Sequence, residues 1–293
     1  MRVTLLGTGC PPADVLRHGP ATLVCAGPTR LLVDCGSGVS QRLIAAGCPG
    51  RDIDALLLTH LHSDHLVDLY QLVISSWHAG RARAQRVYGP PGTREHVAGL
   101  MALWRREREG RIAHERRPST AALEVEVVEI EPGQVLDFPG LRVEAIAVNH
   151  LPVKHAFGFA FSASDARAVI SGDTTYCPAL VEAAKGADLL VHEVFMHHEM
   201  AEIPGVRTAE GTRNVASYHT LSSVVGRVAA EAAVGCLMLT HFVPPRFDRA
   251  RLLAEVAHDY RGPILIGEDL MSCDLPQRVV SHAGATIGLG TYS

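Results

Sequence analysis

The stretch Thr59-His60-Leu61-His62-Ser63-Asp64-His65 decides how this sequence is interpreted. It places three imidazoles and one carboxylate within six residues, directly after an apolar run over 53–59 that predicts a β-strand. A loop at the carboxyl end of a strand can turn these side chains toward one cavity, where they reach metal ions from two sides. Imidazole and carboxylate without cysteine suit Zn²⁺ first, with Mn²⁺ or Fe as substitutes. The stretch therefore predicts a metal centre, in preference to a polar turn whose histidines only cap backbone groups.

The chain as a whole has the composition of an ordinary globular protein. Of its 293 residues, 47% are hydrophobic and 20% are charged, which excludes disordered and fibrous classes. We expect one domain over 1–293, because α/β folds of about this length often form a single unit. No apolar run approaches the roughly 18 to 20 residues that cross a bilayer, so no membrane partner is expected. The N-terminus stops being apolar too soon for a signal peptide, and the cytoplasm is the expected compartment.

The cysteines and the net charge argue against two further classes of protein, those held by disulfides and those that bind polyanions in general. Seven cysteines are scattered without a Cys-x-x-Cys pair, which favours reduced thiols over a disulfide framework. The net charge of −4 argues against a general polyanion binder. The segment 78–117 differs, with ten arginines against four glutamates. Because glutamates interleave its arginines, we interpret it as a solvated helix face or a subunit contact, with RNA binding as the alternative.

Short apolar runs alternate with helix-like stretches, as in layered α/β proteins. Strands are predicted over 31–34, 53–59, 123–130, 141–148, 157–161, 168–170, 188–191 and 236–240. Helices are predicted over 39–46, over 94–109 with Gly110 as its stop, and over the apolar stripe of 221–232. Alternating polarity in 123–130 and 141–148 favours a pair of antiparallel strands with one solvated face.

The histidine loop and the polar residues after later strands resemble the metallo-β-lactamase superfamily over nearly the whole chain. The resemblance implies an α/β fold, the four-layer αββα sandwich of two mixed sheets flanked by helices, with two divalent metal ions between the sheets. It implies that one metal is held by His60, His62 and His150, that the other is held by Asp64, His65 and His241, and that Asp173 bridges both. The last three positions in chain order, His150, Asp173 and His241, each follow a predicted strand.

Further motifs resemble the ribonuclease Z and arylsulfatase-like branches of that superfamily. Leu32-Val33-Asp34-Cys35-Gly36 resembles an early aspartate motif, whose carboxylate, here Asp34, orients the metal loop. The turn Gly89-Pro90-Pro91-Gly92 resembles the G-P-x-G turn of ribonuclease Z. His192-Glu193-Val194-Phe195 resembles its H-E-A-T segment and His219-Thr220-Leu221 its H-S-T segment, each with a replacement.

One part of ribonuclease Z is missing from this sequence. Typical members insert a tRNA-gripping arm between the histidine that corresponds to His150 and the bridging aspartate that corresponds to Asp173. Only 22 residues separate these two positions here, enough for a strand, a turn and another strand. Because tRNA affinity depends on distributed phosphate contacts, the absence of the arm disfavours tRNA as the main substrate.

The resemblance implies a dinuclear metal-dependent phosphodiesterase, in which a metal-bridging hydroxide attacks the phosphorus of a cyclic nucleotide or a small RNA end. Asp64 would orient the hydroxide, and His219 would protonate the leaving oxygen. Glu193 would fix the tautomer of His219. A helix-capping role for His219 and a surface position for Glu193 are the alternatives.

Other functions stay open at this point. An arylsulfatase, lactonase or thioester hydrolase would use the same metal site on a different ester. A di-iron redox protein is less favoured, because such proteins generally carry glutamate at the position of His62. A homodimer is common in the branches that the chain resembles, and the Arg-rich segment 78–117 is one candidate interface.

Overall fold

Two mixed β-sheets pack face to face in the computed structural model, which describes residues 1–290. The first sheet contains β1 (Arg2–Gly7), β2 (Ala21–Ala26), β3 (Thr29–Val33), β4 (Ala55–Leu57), β5 (Gln85–Gly89), β6 (Val125–Glu129), β14 (Ser272–Asp274), β15 (Val279–His282) and β16 (Ala285–Gly288). Their order is β16-β15-β14-β1-β2-β3-β4-β5-β6. The strands β3 to β6 are parallel to one another, and the others pair antiparallel.

The second sheet has the same mixed character. It contains β7 (Val135–Phe138), β8 (Leu141–Ala147), β9 (Phe157–Ser162), β10 (Arg167–Ile170), β11 (Leu189–Phe195), β12 (Leu237–Val243) and β13 (Ile264–Ile266). Their order is β13-β12-β11-β10-β9-β8-β7. The strands β10 to β13 are parallel, and β7 to β10 pair antiparallel.

Helices cover the outer face of each sheet. They are α1 (Val39–Ala45), α2 (Leu69–His78), α3 (Thr93–Leu103), α4 (Arg105–Glu115), α5 (Pro178–Ala184), α6 (Ala209–Ala216), α7 (Ser222–Glu231) and α8 (Arg249–Asp259). Short 3₁₀ turns occupy Gly50–Asp52, Ser63–His65, Ala121–Leu123 and His197–Glu199. Within residues 1–290, no helix has both the length and the apolar character that a membrane span requires.

Buried side chains alternate between the two faces of the central strands, as the two-residue period of a strand requires. On β3, Leu31 and Val33 pack between the sheets with Phe159 of β9. Leu32, between them, packs outward with residues of α1 and α2. On the other sheet, Leu190 packs outward with residues of α5, α7 and α8. The predicted αββα sandwich is therefore confirmed.

The prediction of one helix over 94–109 that stops at Gly110 is wrong. The first helix, α3, ends before Trp104 instead. A second helix, α4, begins after it and continues through Gly110 to Glu115. Ion pairs four residues apart line α4: Arg105 pairs with Glu109 before the glycine, Arg111 pairs with Glu107 across it, and Arg111 also pairs with Glu115 after it. Such pairs support an exposed helix even where glycine weakens it. The break at Trp104 lets its ring stack on Tyr70 of α2, with ring centroids 4.9 Å apart.

The predicted pairing of 123–130 with 141–148 is also wrong. β6 extends the first sheet in parallel with β5, whereas β8 lies in the second sheet between β7 and β9. The partners of β8 are β9 and β7, and β7 is a four-residue strand that the alternation of polarity did not reveal. Alternation identifies a half-solvated strand but does not identify its partner, and both β6 and β8 have that pattern.

Candidate metal centre

Strand ends from both sheets meet at one edge of the sandwich, and the polar residues predicted from the sequence lie there. Asp34 follows β3 and the loop of His60 follows β4. Asp173 follows β10, whereas Glu193 and His241 lie near the carboxyl ends of β11 and β12. β8 runs in the same direction as β10, since both are antiparallel to β9. The residues that follow β8, including His150, therefore reach the same edge.

Asp173 lies at the centre of the histidine cluster. Its Oδ2 is 3.4 Å from Nε2 of His65 and 3.4 Å from Nε2 of His241. The same oxygen is 3.8 Å from Nε2 of His150 and 3.9 Å from Nε2 of His60. A buried carboxylate with several imidazole nitrogens close to one of its oxygens provides a set of groups that could bind metal ions.

The remaining candidate ligands complete two groups. Oδ2 of Asp64 is 3.3 Å from Nε2 of His241 and 3.5 Å from Nε2 of His65. His62 places Nδ1 3.3 Å from Nε2 of His150. One group, with candidate ligand atoms within 4.8 Å of one another, is His60, His62, His150 and Asp173, and a second is Asp64, His65 and His241. A third group of the same kind takes Asp173 and His241 from these two and adds His219. The family resemblance implies the first two groups, with Asp173 shared between them, and this assignment of ligands stays a prediction.

Two observations show that these residues fit divalent ions. Nε2 of His60 and Nε2 of His65 are buried without a hydrogen-bond partner of good geometry within residues 1–290. An orphaned buried nitrogen is costly, and a metal ion would satisfy it. The donor set is imidazole and carboxylate without thiolate, which suits Zn²⁺, Mn²⁺ and Fe. The chain therefore provides a site for divalent metal binding.

Hydrogen bonds from the opposite ring nitrogen orient the histidines. Nδ1 of His65 donates to Asp34 Oδ2 at 2.8 Å, and Nδ1 of His150 donates to the Tyr218 carbonyl oxygen at 2.8 Å. Asp34 also accepts from the backbone N–H of Thr59 at 2.8 Å and from its hydroxyl. These bonds fix each ring with Nε2 facing the cluster. Asp34 thus contacts both His65 and the residue that precedes His60, and it has a φ of 59°.

The charges of the cluster shift its pKa values. Burial alone would raise the pKa of Asp173, but the neighbouring rings of His241 and His65 outweigh it and hold that pKa well below the usual value. Burial lowers the pKa of His60 well below its usual range. The pKa of His65 is raised in spite of burial, because Asp173 and Asp34 face the ring. These shifts favour an ionised Asp173 and a neutral His60, the forms that bind a metal, whereas His65 must lose a proton before it can bind one.

His219 and Glu193 form a buried pair beside Asp173. His219 Nδ1 lies 2.9 Å and 3.0 Å from the two oxygens of Glu193, and 4.0 Å from Asp173 Oδ2. Burial would lower the pKa of His219, but the Glu193 carboxylate outweighs it and raises that pKa to about 9. The residue at the cap of α7 is Leu221, and the Glu193 side chain is 1% exposed. Neither the capping role of His219 nor a surface position for Glu193 fits this geometry.

Several groups at the site had no signal in the sequence. The Tyr218 carbonyl is a backbone group, and no motif announces it. The backbone N–H groups of Thr174 and Thr220 donate to Glu193 at 2.9 Å and 3.3 Å. Thr59 acts through its hydroxyl on Asp34. Such contacts depend on how distant strands meet, which the local sequence does not specify.

The backbone before Asp173 requires glycine. Gly172 has a φ of 59°, and a Cβ there would lie 2.4 Å from the Phe157 carbonyl oxygen. Any other residue would push the loop away from β9, since real Cβ atoms do not approach backbone oxygens so closely. Gly172 thus allows the loop to bring Asp173 against the cluster.

Comparison with known proteins places this geometry in a family. A family model described as "Anti-Pycsar protein Apyc1" matches residues 1–204. A protein named Ribonuclease Z from Mycobacterium marinum is 39% identical over 290 residues, covering 97% of this chain and 99% of that protein.

Solved structures agree in fold. The metallo-β-lactamase fold protein YhfI from Bacillus subtilis has a TM-score of 0.72 at 21% identity, covering 93% of this chain and 99% of that one. Human tRNase Z, short form, has a TM-score of 0.69 at 21% identity, covering 94% of this chain and 100% of that one. This chain therefore belongs to the metallo-β-lactamase superfamily, in its ribonuclease Z-like branch and within the family that the Apyc1 model describes.

Proposed function

We propose that this metal-dependent phosphodiester hydrolase acts on a small phosphodiester, such as a cyclic nucleotide or a short RNA end, with Zn²⁺ as the first choice of metal. One ion would be held by His60, His62 and His150, the other by Asp64, His65 and His241, and Asp173 would be shared. A bound pair of divalent ions lowers the pKa of water and neutralises phosphoryl oxygens. The observation that supports phosphodiester chemistry best is the Glu193–His219 pair beside Asp173.

The protein residues have separate tasks in this proposal. Asp64 is the less buried of the two carboxylates, with its side chain 10% exposed against 3% for Asp173. It can therefore accept a hydrogen bond from the attacking water while Asp173 stays committed to the histidines. Glu193 fixes the ring of His219, and two nearby carboxylates favour its protonated form. His219 then donates a proton to the leaving oxygen.

The choice between tRNA and a smaller phosphodiester rests on the region between His150 and Asp173. That region contains only β9, a turn and β10. However, the Mycobacterium marinum relative named Ribonuclease Z is matched over 99% of its length by a chain of nearly equal size. The missing arm is therefore weaker support against tRNA than the sequence alone suggested. We keep the small phosphodiester as the proposal and tRNA as its alternative.

The test compares ester classes on one preparation. We expect turnover of bis(p-nitrophenyl) phosphate to exceed that of p-nitrophenyl sulfate and of simple lactones. Asp173→Ala should abolish that turnover, which excludes a contaminating hydrolase. If the wild-type protein turns over only the sulfate or only the lactone, the phosphodiester proposal is wrong and the arylsulfatase or lactonase alternative replaces it.

Compartment and assembly are further proposals. We propose the cytoplasm, because all seven cysteines are free thiols and most of them are buried. The Arg-rich segment 78–117 stays the candidate contact of a homodimer, since Trp104, between α3 and α4, is 42% exposed. Sedimentation of the wild-type protein beside Trp104→Ala tests that contact.

A further inference from the structure

His18 and Asp269 form a second histidine–carboxylate pair at the same edge of the sandwich. Oδ2 of Asp269 accepts from Nδ1 of His18 at 2.8 Å and from its backbone N–H at 2.9 Å. Oδ1 of Asp269 accepts from the backbone N–H of Thr8 at 3.0 Å and from its hydroxyl at 2.9 Å. Both carboxylate oxygens of Asp269 thus accept two hydrogen bonds each, and its side chain is 8% exposed. This network fixes the ring of His18.

A recess of about 270 Å³ connects His18 with the metal loop. Its walls include His18, Ser37, Ser63 and Asp64. The backbone segments around the recess are in close contact. A Cβ at Gly36 would lie 2.5 Å from the carbonyl carbon of Gly19 and 2.6 Å from the backbone carbonyl oxygen of Asp64. The side chain of His18 is 33% exposed, and its Nε2 makes no hydrogen bond within the part of the chain that the structure describes. The recess therefore offers a fixed, unpartnered ring nitrogen beside a candidate metal ligand.

The chemistry of the recess favours a neutral polar group. Because a carboxylate only accepts hydrogen bonds, Nδ1 of His18 carries a proton, and Nε2 is the ring nitrogen left to form a hydrogen bond with a ligand. The carboxylates of Asp14 and Asp64 also line the recess and would repel a second anion. The guanidinium of Arg17 is directed to Thr8, Glu268 and backbone carbonyls instead. A hydroxyl group, which both donates and accepts, fits these surroundings better than a phosphate.

We propose that His18 recognises a substrate hydroxyl next to the scissile phosphodiester, and that the enzyme therefore prefers ribonucleotides to 2′-deoxyribonucleotides. This inference rests on the proposed phosphodiesterase function. Asp269 is a positioning residue, because it acts only through the ring of His18. His18 is a specificity-determining residue that contacts the sugar and takes no part in the chemistry at phosphorus.

The test uses two isosteric variants with matched substrates. His18→Asn keeps an amide in the place of Nδ1, so it retains the contact to Asp269 but removes the group at Nε2. His18→Gln places its amide near Nε2 instead. Each is assayed on uridylyl-uridine and its 2′-deoxy counterpart, on 3′,5′-cyclic AMP and its 2′-deoxy counterpart, and on bis(p-nitrophenyl) phosphate, which has no sugar. Val15→Ala, 82% exposed in the same loop, is the control.

We expect the ribo-to-deoxy ratio of kcat/KM to fall about tenfold in His18→Asn, the value of one net hydrogen bond. The ratio should recover in part in His18→Gln and stay unchanged in Val15→Ala. Metal content should stay within about twofold of wild type, since His18 belongs to none of the groups that could hold a metal ion. An unchanged ratio, or an equal loss on all substrates, overturns the role of His18 alone. A wild-type enzyme inactive on every phosphodiester contradicts the proposed function itself, and this role with it.

Discussion

Asp173 lies close to several titratable side chains at once. Five histidine nitrogens lie within 4.0 Å of one of its oxygens, and the side chain is 3% exposed. Burying a carboxylate is unfavourable unless positive charge or hydrogen bonds compensate. Two bound cations would supply that compensation directly, so the position of this residue makes sense as part of a metal site.

Asp173→Ala should therefore reduce bound metal more than any other single change. We expect elemental analysis to find close to two transition metals per wild-type chain and one or fewer in the variant, because the shared ligand is lost to both ions. Asp165→Ala, at a carboxylate that is 57% exposed, is the matched control. Equal metal content in Asp173→Ala and wild type would contradict the shared-ligand assignment.

His219→Ala should separate catalysis from metal binding. Loss of a proton donor is expected to lower turnover of bis(p-nitrophenyl) phosphate by roughly 10² to 10⁴. Metal content should not change, since the variant keeps all the residues proposed to hold the two ions, with Asp173 shared between them. His258→Ala, at an 84% exposed histidine, serves as control. If metal and activity fall together, His219 has been given the wrong role.

The sequence predicted the site best where its residues are adjacent. Four candidate ligands between His60 and His65 lie in one loop, so their spacing alone indicated the chemistry. His150, Asp173 and His241 were assigned through the family resemblance, because isolated residues after strands have many other uses. The His18–Asp269 pair was not predicted, since 251 positions separate its members and no local pattern relates them.

At the scale of elements, the loop between β10 and α5 depends on a single glycine. Gly172→Ala combines a φ of 59° with a Cβ placed 2.4 Å from the Phe157 oxygen. Gly186→Ala has a similar φ of 64° but nothing within 4 Å of the added Cβ. Gly186→Ala therefore measures the cost of the positive φ alone, a loss of about 1 kcal/mol or more in the free energy of unfolding.

We expect Gly172→Ala to lower the free energy of unfolding by clearly more than Gly186→Ala, and to lose metal as well, because Asp173 must move with the loop. Denaturant unfolding and elemental analysis measure the two effects. Equal destabilisation by both variants, with full metal content, would show that the loop relaxes around the new methyl group.

Element type was easier to predict than element pairing. The apolar stripe of α7 and the runs of β3 and β12 specify buried helices and strands through their periodicity. The break at Trp104 was missed because it depends on a tertiary contact with Tyr70. The separation of β6 and β8 was missed because the choice of sheet depends on connections elsewhere in the chain.

For the whole molecule, bound metal should contribute to stability through linkage. The candidate ligands come from both sheets, so ions that bind them stabilise only the folded arrangement. At a free-ion concentration about 100 times Kd, the expected gain is roughly 2.7 kcal/mol for one site. We expect chelation to lower the Tm by several degrees and added Zn²⁺ to restore it.

In Asp173→Ala, chelation and added Zn²⁺ should change the Tm very little. This comparison distinguishes metal binding at the candidate centre from metal binding to exposed histidines. A Tm that is indifferent to chelator in the wild-type protein would contradict the proposed site. The prediction of a single domain over 1–293 is tested in the same scans. Residues of both sheets share the core around Phe159, so one cooperative transition is expected.

The distribution of the ligands along the chain also bears on biosynthesis. A ribosome releases the loop of His60 long before it releases β12 with His241, and the first sheet still awaits β14 to β16 at that stage. A nascent chain thus exposes clustered imidazoles for most of its translation without the partners needed for a complete centre. A complete set of the proposed ligands can therefore assemble only after β12 has left the ribosome.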